Sequence, residues 1–249
     1  RPGPRLWLSG AVHGNEINGV EIARRVLRQV DSRKLAGTLV AVPVVNVFGF
    51  LNQSRYLPDR RDLNRSFPGS SRGSLASRLA HLFMNEVVNK CQYGIDIHTA
   101  AGHRINLPQI RADLKDPDTR SLATAFGAPV AIHAKVRDGS LRQAATEGGC
   151  RVLVYEAGQV QRFEEPYIET GVQGVLRVMD ALEMGHWDLP IVSEPPLVIR
   201  KTKWIRASRS GIASLTTELG EHVIAGARIG TIGDAVGGRP TFVTAAVTG

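Results

Sequence analysis

Cysteine is nearly absent from this 249-residue sequence: Cys91 and Cys150 stand far apart and outside any CxxC spacing. That argues against a disulfide scaffold or a thiolate metal site, and it suits two buried thiols in a reducing cytoplasm. Aromatic residues are scarce as well, at 6%. The chain carries 31 Lys+Arg against 23 Asp+Glu, a net charge of +8, but the arginines are spread out and do not cluster with aromatics. The basic balance therefore reads as a solvated surface suited to small anionic partners, and nucleic acid is not expected among them. No apolar run reaches the roughly 18 residues that span a bilayer, so no membrane partner is expected either. Repeats and low-complexity tracts are missing. The opening RPGPRLWLSG has no initiator Met and no charged-then-apolar leader, and TAAVTG stops just after a strand-like run. Both ends give the expectation of a trimmed chain.

What is present is a hydrophobic content of 43%, enough for a full core. Residues 5–12 (RLWLSGAV) and 38–45 (TLVAVPVV) read as buried strands. Between them, EINGVEIARRVLRQV places Ile17, Val20, Ile22 or Ala23, Val26, Leu27 and Val30 at helical spacing. Strand, helix and strand over about 40 residues make a βαβ unit, the signature of parallel pairing in a layered α/β domain. After a polar, arginine-rich loop, helices are expected over 75–89 and 117–126, and a third in VQGVLRVMDALEMGH. Strands are expected at YGIDIHTA, APVAIHA and RVLVYEAG. Beyond residue 192, past prolines 190, 195 and 196, Gly-punctuated short runs replace helical periodicity. The expected domains are a catalytic α/β domain over 1–192 and a β-rich, truncated C-terminal domain over 193–249.

Ligands of an open α/β sheet bind beyond the carboxyl ends of its strands. His13 and Glu16, in SGAVHGNE, follow the first strand directly, and His98, in GIDIHTA, ends another. Two imidazoles and a carboxylate are good zinc ligands, and catalytic zinc usually takes three protein ligands and a water. An H-x-x-E spacing alone is common; its position at a strand-to-helix turn gives it weight. Glu156 ends the strand RVLVYEAG, where a carboxylate is costly unless used, and it suits a general base acting on a water. The loop RYLPDRRDLNRSF offers Arg55, Arg60, Arg61 and Arg65 with Asn64, guanidinium forks and an amide able to bind a carboxylate, or one arginine to face an oxyanion. Asp62 reads as the ion-pair partner that holds this loop. Asp96 reads either as an orienting partner of a ligand or as a satisfied core carboxylate.

GAVHGNE, RDLNRSFPG, DIHT and YEAG, in this order over about residues 5 to 180, resemble the succinylglutamate desuccinylase/aspartoacylase family of the zinc carboxypeptidase-like superfamily. The resemblance implies a mixed β-sheet flanked by helices with a small β-rich C-terminal domain. It implies one Zn2+ per chain on His13, Glu16 and His98, with Glu156 as general base. It further implies Asn64 and Arg65 as contacts to a substrate carboxylate, and Arg55 as the arginine that polarises the scissile carbonyl, with Arg60 as the alternative in a loop that is longer here. Arg142, in GSLRQAA, matches a further carboxylate-binding arginine. The expected activity is a zinc-dependent deacylase cleaving the amide of a small N-acyl amino acid in the cytoplasm. A zinc carboxypeptidase acting on peptides is the alternative, and a metal-free basic binding module is the reading from outside the enzymes. The tail has a biotinyl/lipoyl-like texture but no lysine at a turn tip, so no such attachment is expected. A homo-oligomer is left open.

Overall fold

A computed structural model describes residues 1–249. The chain divides into two compact units, Arg1–Arg200 and Lys201–Gly249. The division falls beyond residue 192, where the proline cluster suggested a boundary, because Leu197–Ile199 forms one more strand of the first sheet.

In the first unit the elements run β1 (Arg5–Ser9), α1 (Asn18–Gln29), β2 (Thr38–Val42), α2 (Val47–Leu51), α3 (Leu75–Glu86), β3 (Tyr93–His98), β4 (Asn106–Ala112), α4 (Pro117–Phe126), β5 (Val130–His133), α5 (Leu141–Glu147), β6 (Arg151–Gly158), α6 (Glu165–Ala181) and β7 (Leu197–Ile199). One-turn 3-10 helices at Leu63–Arg65 and Val88–Lys90 complete it. The strands form one sheet in the order β2-β1-β3-β6-β4-β5-β7. All pairs are parallel except β4 with β6.

Local chemistry marks several helix ends. The side chains of Ser74, Asp116 and Ser140 accept from backbone N–H groups of the first turns of α3, α4 and α5. Gly127, in the left-handed region at φ 78°, ends α4. The helices cover both faces of the sheet, as a buried, mostly parallel sheet requires. Ile22, Val26, Phe126, Val172, Val175 and Leu176 of α1, α4 and α6 meet Leu8, Ile95 and Leu153 in one core. On the other face Trp7, Phe83, Leu141 and Val152 make a second core with α3 and α5. Trp7 packs over β3 at Gly94, where an added Cβ would sit 2.0 Å from the indole.

Two helical faces differ from the stripes that helical spacing predicts, which are Leu75, Leu79, Leu82, Phe83, Glu86 and Val87 over 75–89 and a stripe that includes Leu27 in the first helix. On α3 the buried residues are Ala76, Ala80, Phe83 and Met84, and Leu82 is exposed; on α1, Leu27 is exposed. The loop at Gly69 packs closely on α3, where an added Cβ would stand 2.9 Å from the Ala80 methyl, and the small residues on this face permit that approach. α2, β4 and α5 were not expected from the sequence.

The second unit holds a three-stranded antiparallel sheet of β8 (Ile212–Leu215), β9 (Arg228–Gly233) and β10 (Thr241–Thr244) in the order β10-β9-β8. Ile232 and Ala245 are its buried apolar residues, and the Arg228 guanidinium stacks 3.5 Å above the Phe242 ring. No helix of either unit is long and apolar enough to cross a membrane.

Candidate metal centre

The carboxyl ends of β1, β3 and β6 form one rim. β1 pairs with β3 so that Ser9 faces Asp96, and β3 pairs with β6 so that His98 faces Glu156. Registered neighbours in a parallel sheet point to the same side, so these four side chains share the face that carries α3 and α5.

After β1 the chain turns through residues 10–17 before α1 begins. The turn is clamped by backbone hydrogen bonds from Gly10 to Val42, from Val45 to Gly10 and from Asn46 to Ala11. Ala11 sits in the left-handed region at φ 46°, a conformation costly for alanine that the clamp holds in place. Gly14 packs directly on α2: a Cβ there would lie 2.0 Å from the carbonyl carbon of Gly49. Within the turn Glu16 N–H donates to His13 O at 3.1 Å, which brings both side chains to one side.

His13, Glu16 and His98 meet below the surface, at 4%, 1% and 4% exposure. Glu16 Oε1 lies 2.7 Å from His13 Nδ1 and Oε2 lies 2.8 Å from His98 Nδ1. The two Nδ1 atoms are 3.2 Å apart. Each ring's far nitrogen is held by a carboxylate: His13 Nε2 by Asp62 Oδ1 at 3.1 Å, and His98 Nε2 by Asp96 Oδ2 at 2.8 Å. Asp96 is itself fixed by a hydrogen bond from Ser9 Oγ to Oδ1 at 2.7 Å. A proton placed on each Nε2 by these partners leaves both Nδ1 lone pairs aimed at the shared centre.

This donor set fits a divalent cation on three grounds. Its three ligand atoms lie within 4.8 Å of one another. The imidazole separation is close to the roughly 3.3 Å edge of a tetrahedron drawn with ordinary zinc–nitrogen bonds. Finally, three carboxylates (Glu16, Asp62 and Asp96) against one guanidinium (Arg55) give −3 + 1 = −2 with both imidazoles neutral, the charge that a dication balances. The titration tendencies agree. Burial opposes ionisation of Glu16, but His13 and His98 hold its carboxyl well below the ordinary range. Asp62 is likewise held low by His13 and Arg55 against the effect of burial. For His98 burial disfavours the cation, yet Asp96 and Glu16 push its pKa well up. The pocket thus has a strong demand for positive charge.

Arg55, from the arginine-rich loop, reaches this centre. Its Nη1 donates to Glu16 Oε1 at 3.1 Å and its Nη2 to Asp62 Oδ2 at 3.0 Å. Arg60, the alternative, is exposed in a left-handed turn conformation and makes no hydrogen bond or ion pair with the centre. Asp62 joins Arg55, His13 and the backbone N–H of Asn64, so it holds both the loop and a candidate ligand. Asn64 Oδ1 accepts from the N–H of Leu141, which ties this loop to the start of α5. Arg65 is exposed and bonded to the Asn64 carbonyl. Partial burial and the like charges of Arg137 and Arg55 lower the pKa of its guanidinium. Arg142, on the first turn of α5, is half-buried; its Nη2 donates to Lys135 O at 2.6 Å, and it lines a cavity of about 220 Å³ with Asp113 and Val152. Burial, then the neighbouring charge of Arg111, lowers its pKa, while Asp113 and Glu156 oppose that.

Glu156 is a quarter exposed beside His98 in register. Two residues of β4 approach its carboxylate. Asn106 Nδ2 donates to Oε2 at 2.8 Å, and Arg111 Nε stands 3.9 Å from Oε1. Neither residue is legible as part of a site in NLPQIRA, since nothing in that run signals which strand it joins.

Comparison with known proteins adds the following. The profile for the succinylglutamate desuccinylase/aspartoacylase catalytic domain matches residues 2–182. The chain is 25% identical over 244 residues to an N-alpha-acetyl-L-2,4-diaminobutyric acid deacetylase of Halomonas elongata, covering 93% of this chain and 71% of that protein. A succinylglutamate desuccinylase/aspartoacylase structure from Rhodobacter sphaeroides superposes with a TM-score of 0.89 at 26% identity, over 100% of this chain and 79% of the other. The product-bound ectoine utilization protein EutE (DoeB) from Ruegeria pomeroyi superposes at 0.90 and 21% identity, with the same coverage.

Proposed function

The chain belongs to the succinylglutamate desuccinylase/aspartoacylase family, and from that premise we propose that it is a zinc-dependent amidohydrolase that deacylates a small N-acyl amino acid. The carrying observation is the pair of buried imidazoles whose Nδ1 atoms share Glu16 while each Nε2 rests on its own carboxylate, with Glu156 on the adjoining strand. His13, Glu16 and His98 would hold the metal. When bound, zinc supplies a Lewis acid that brings the pKa of a water toward neutrality and polarises a carbonyl.

The chain's own groups supply the remainder. Glu156 takes a proton from the attacking water as its oxygen bonds to the acyl carbon. It then returns that proton to the nitrogen as the C–N bond breaks, which gives an amine and a carboxylic acid, and the acid's proton passes to the amine to leave a carboxylate and an ammonium. Arg55, fixed by Asp62, faces the oxygen on which negative charge develops. Asn64 and Arg65, held next to one another by the 3-10 turn, bind the substrate carboxylate, with Arg142 as a further guanidinium. The deacetylase from Halomonas elongata supports an N-acetylated diamino acid as the first substrate to try.

The test is metal analysis and a substrate panel on one preparation: N-acetyl and N-succinyl amino acids, N-acetyl-L-2,4-diaminobutyrate among them, beside C-terminally free peptides. We expect near one zinc per chain and hydrolysis of acyl amino acids. Hydrolysis of peptides alone would overturn the deacylase reading in favour of a carboxypeptidase. Glu156→Gln is expected to keep its zinc and lose turnover, and near-parental turnover would refute the base assignment.

A further inference from the structure

Beside Glu156 runs β4, the strand that meets β6 in the opposite sense. In a regular antiparallel pair, residues three apart on one strand point to opposite faces. Asn106 and Gln109 are three apart, yet they pair with Gly158 and Glu156, which are only two apart. The extra residue lies at Leu107–Pro108 and makes a β-bulge; Pro108 has no N–H to offer a ladder at that point. The bulge turns Asn106 onto the face of Glu156, where its Nδ2 donates to Oε2 at 2.8 Å. An ionised carboxylate only accepts, so the amide must present its nitrogen. The opposite oxygen, Oε1, faces the Arg111 guanidinium at the longer distance of 3.9 Å. One oxygen of Glu156 is thus held by a directional bond, and the other meets a charge through space.

We propose that Asn106 is a positioning residue: aimed by the bulge, it fixes the Glu156 carboxylate in one orientation so that the proton is exchanged at the right place. The proposal rests on the reading of Glu156 as general base and adds what holds that base still. A long, flexible carboxylate a quarter exposed to solvent would otherwise sample several rotamers. Bulges recur beside active sites because they re-aim a side chain without moving the rest of the sheet. Misplacing a reacting group by about 1 Å costs up to about 100-fold in rate, so loss of the donor should appear in turnover, leaving substrate capture intact.

The test uses zinc-loaded protein and its best substrate from the panel of N-acetyl and N-succinyl amino acids. Three variants are compared: Asn106→Ala, the isosteric Asn106→Asp and Glu156→Gln. For both Asn106 variants kcat is expected to fall about 10- to 100-fold, with KM within about twofold of the parent and parental zinc content and thermal midpoint. The aspartate, which replaces a donor with a second carboxylate, should lose at least as much as the alanine, and it carries the same test should the alanine variant fail to fold. Parental kcat in both would overturn the proposal, as would a loss confined to KM or to zinc content. The base itself is tested separately: an active Glu156→Gln refutes the base, whereas an inactive Glu156→Gln beside fully active Asn106 variants refutes Asn106 alone.

Discussion

Asp62 shows how much one side chain can decide here. Oδ1 receives His13 Nε2 and the Asn64 N–H, and Oδ2 receives Arg55. It therefore fixes the ring of a candidate ligand, the start of the 3-10 turn and the Arg55 guanidinium proposed to face the reacting carbonyl. Partners of this kind usually change metal affinity by about 10- to 100-fold when removed. Asp62→Ala should weaken zinc binding by that order in a competition titration with a chelator, and it should also lower kcat because Arg55 loses its anchor. Zinc affinity equal to the parent's would show that His13 needs no such support. In the sequence Asp62 looks like a loop ion pair, and that reading is half of its part; which histidine it reaches depends on the fold.

At the scale of elements, the HGNE turn depends on a close approach and not on propensity. A Cβ on Gly14 would stand 2.0 Å from the backbone of α2 at Gly49, so one of the two must move. Gly14→Ala should cost about 1–3 kcal/mol by overpacking and also reduce bound zinc, because the turn carries two of the proposed ligands; unfolding midpoints and metal content read both. Another tie joins α1 to α6. Glu21 accepts from Arg24 and Arg25, each at 2.7 Å, and Arg25 continues to Glu165 at 2.9 Å. The hydrogen bond from Arg24 is the main reason that the pKa of Glu21 falls from 4.5 to about 2; burial opposes it, and Arg25 adds to it. A carboxyl lowered on folding stabilises above its unfolded pKa, and that contribution fades as pH drops toward the folded value. The stability gap between parent and Glu21→Gln should therefore be full at pH 6 and shrink as pH falls from about 5 to about 2, as urea unfolding at several pH values would show. A gap that stays constant would mean that the pairing contributes nothing through charge.

For the molecule as a whole, the net −2 around the centre would make a bound cation part of the fold's energetics. Metal that binds the folded chain alone stabilises it by about 2.7 kcal/mol at a hundredfold excess over Kd. Chelator-treated protein should unfold at a lower temperature and recover on addition of zinc. No recovery would show that the histidine–carboxylate cluster is a self-sufficient polar network. The substrate panel belongs to this scale too, since pocket walls come from several elements, and a methylene more or less shifts preference by only about 1–3 kcal/mol.

Periodicity and strand-end position made much of this legible in the amino-acid order. A βαβ pattern forces parallel strands, and parallel strands put their carboxyl ends on one rim, so His13, Glu16, His98 and Glu156 could be gathered before any distance was known. The helix over 117–126 follows from the same local signals. The mixed sheet is implied only by the family resemblance, since β4, the strand that makes it mixed, has no local signature. Tertiary structure alone decided the remainder. The bulge that aims Asn106, the reach of Asp62 to His13, and the burial of alanines in place of Leu82 all depend on register and on contacts between segments distant in the chain. A one-residue change in register reverses which face a side chain occupies, and no local pattern encodes that count.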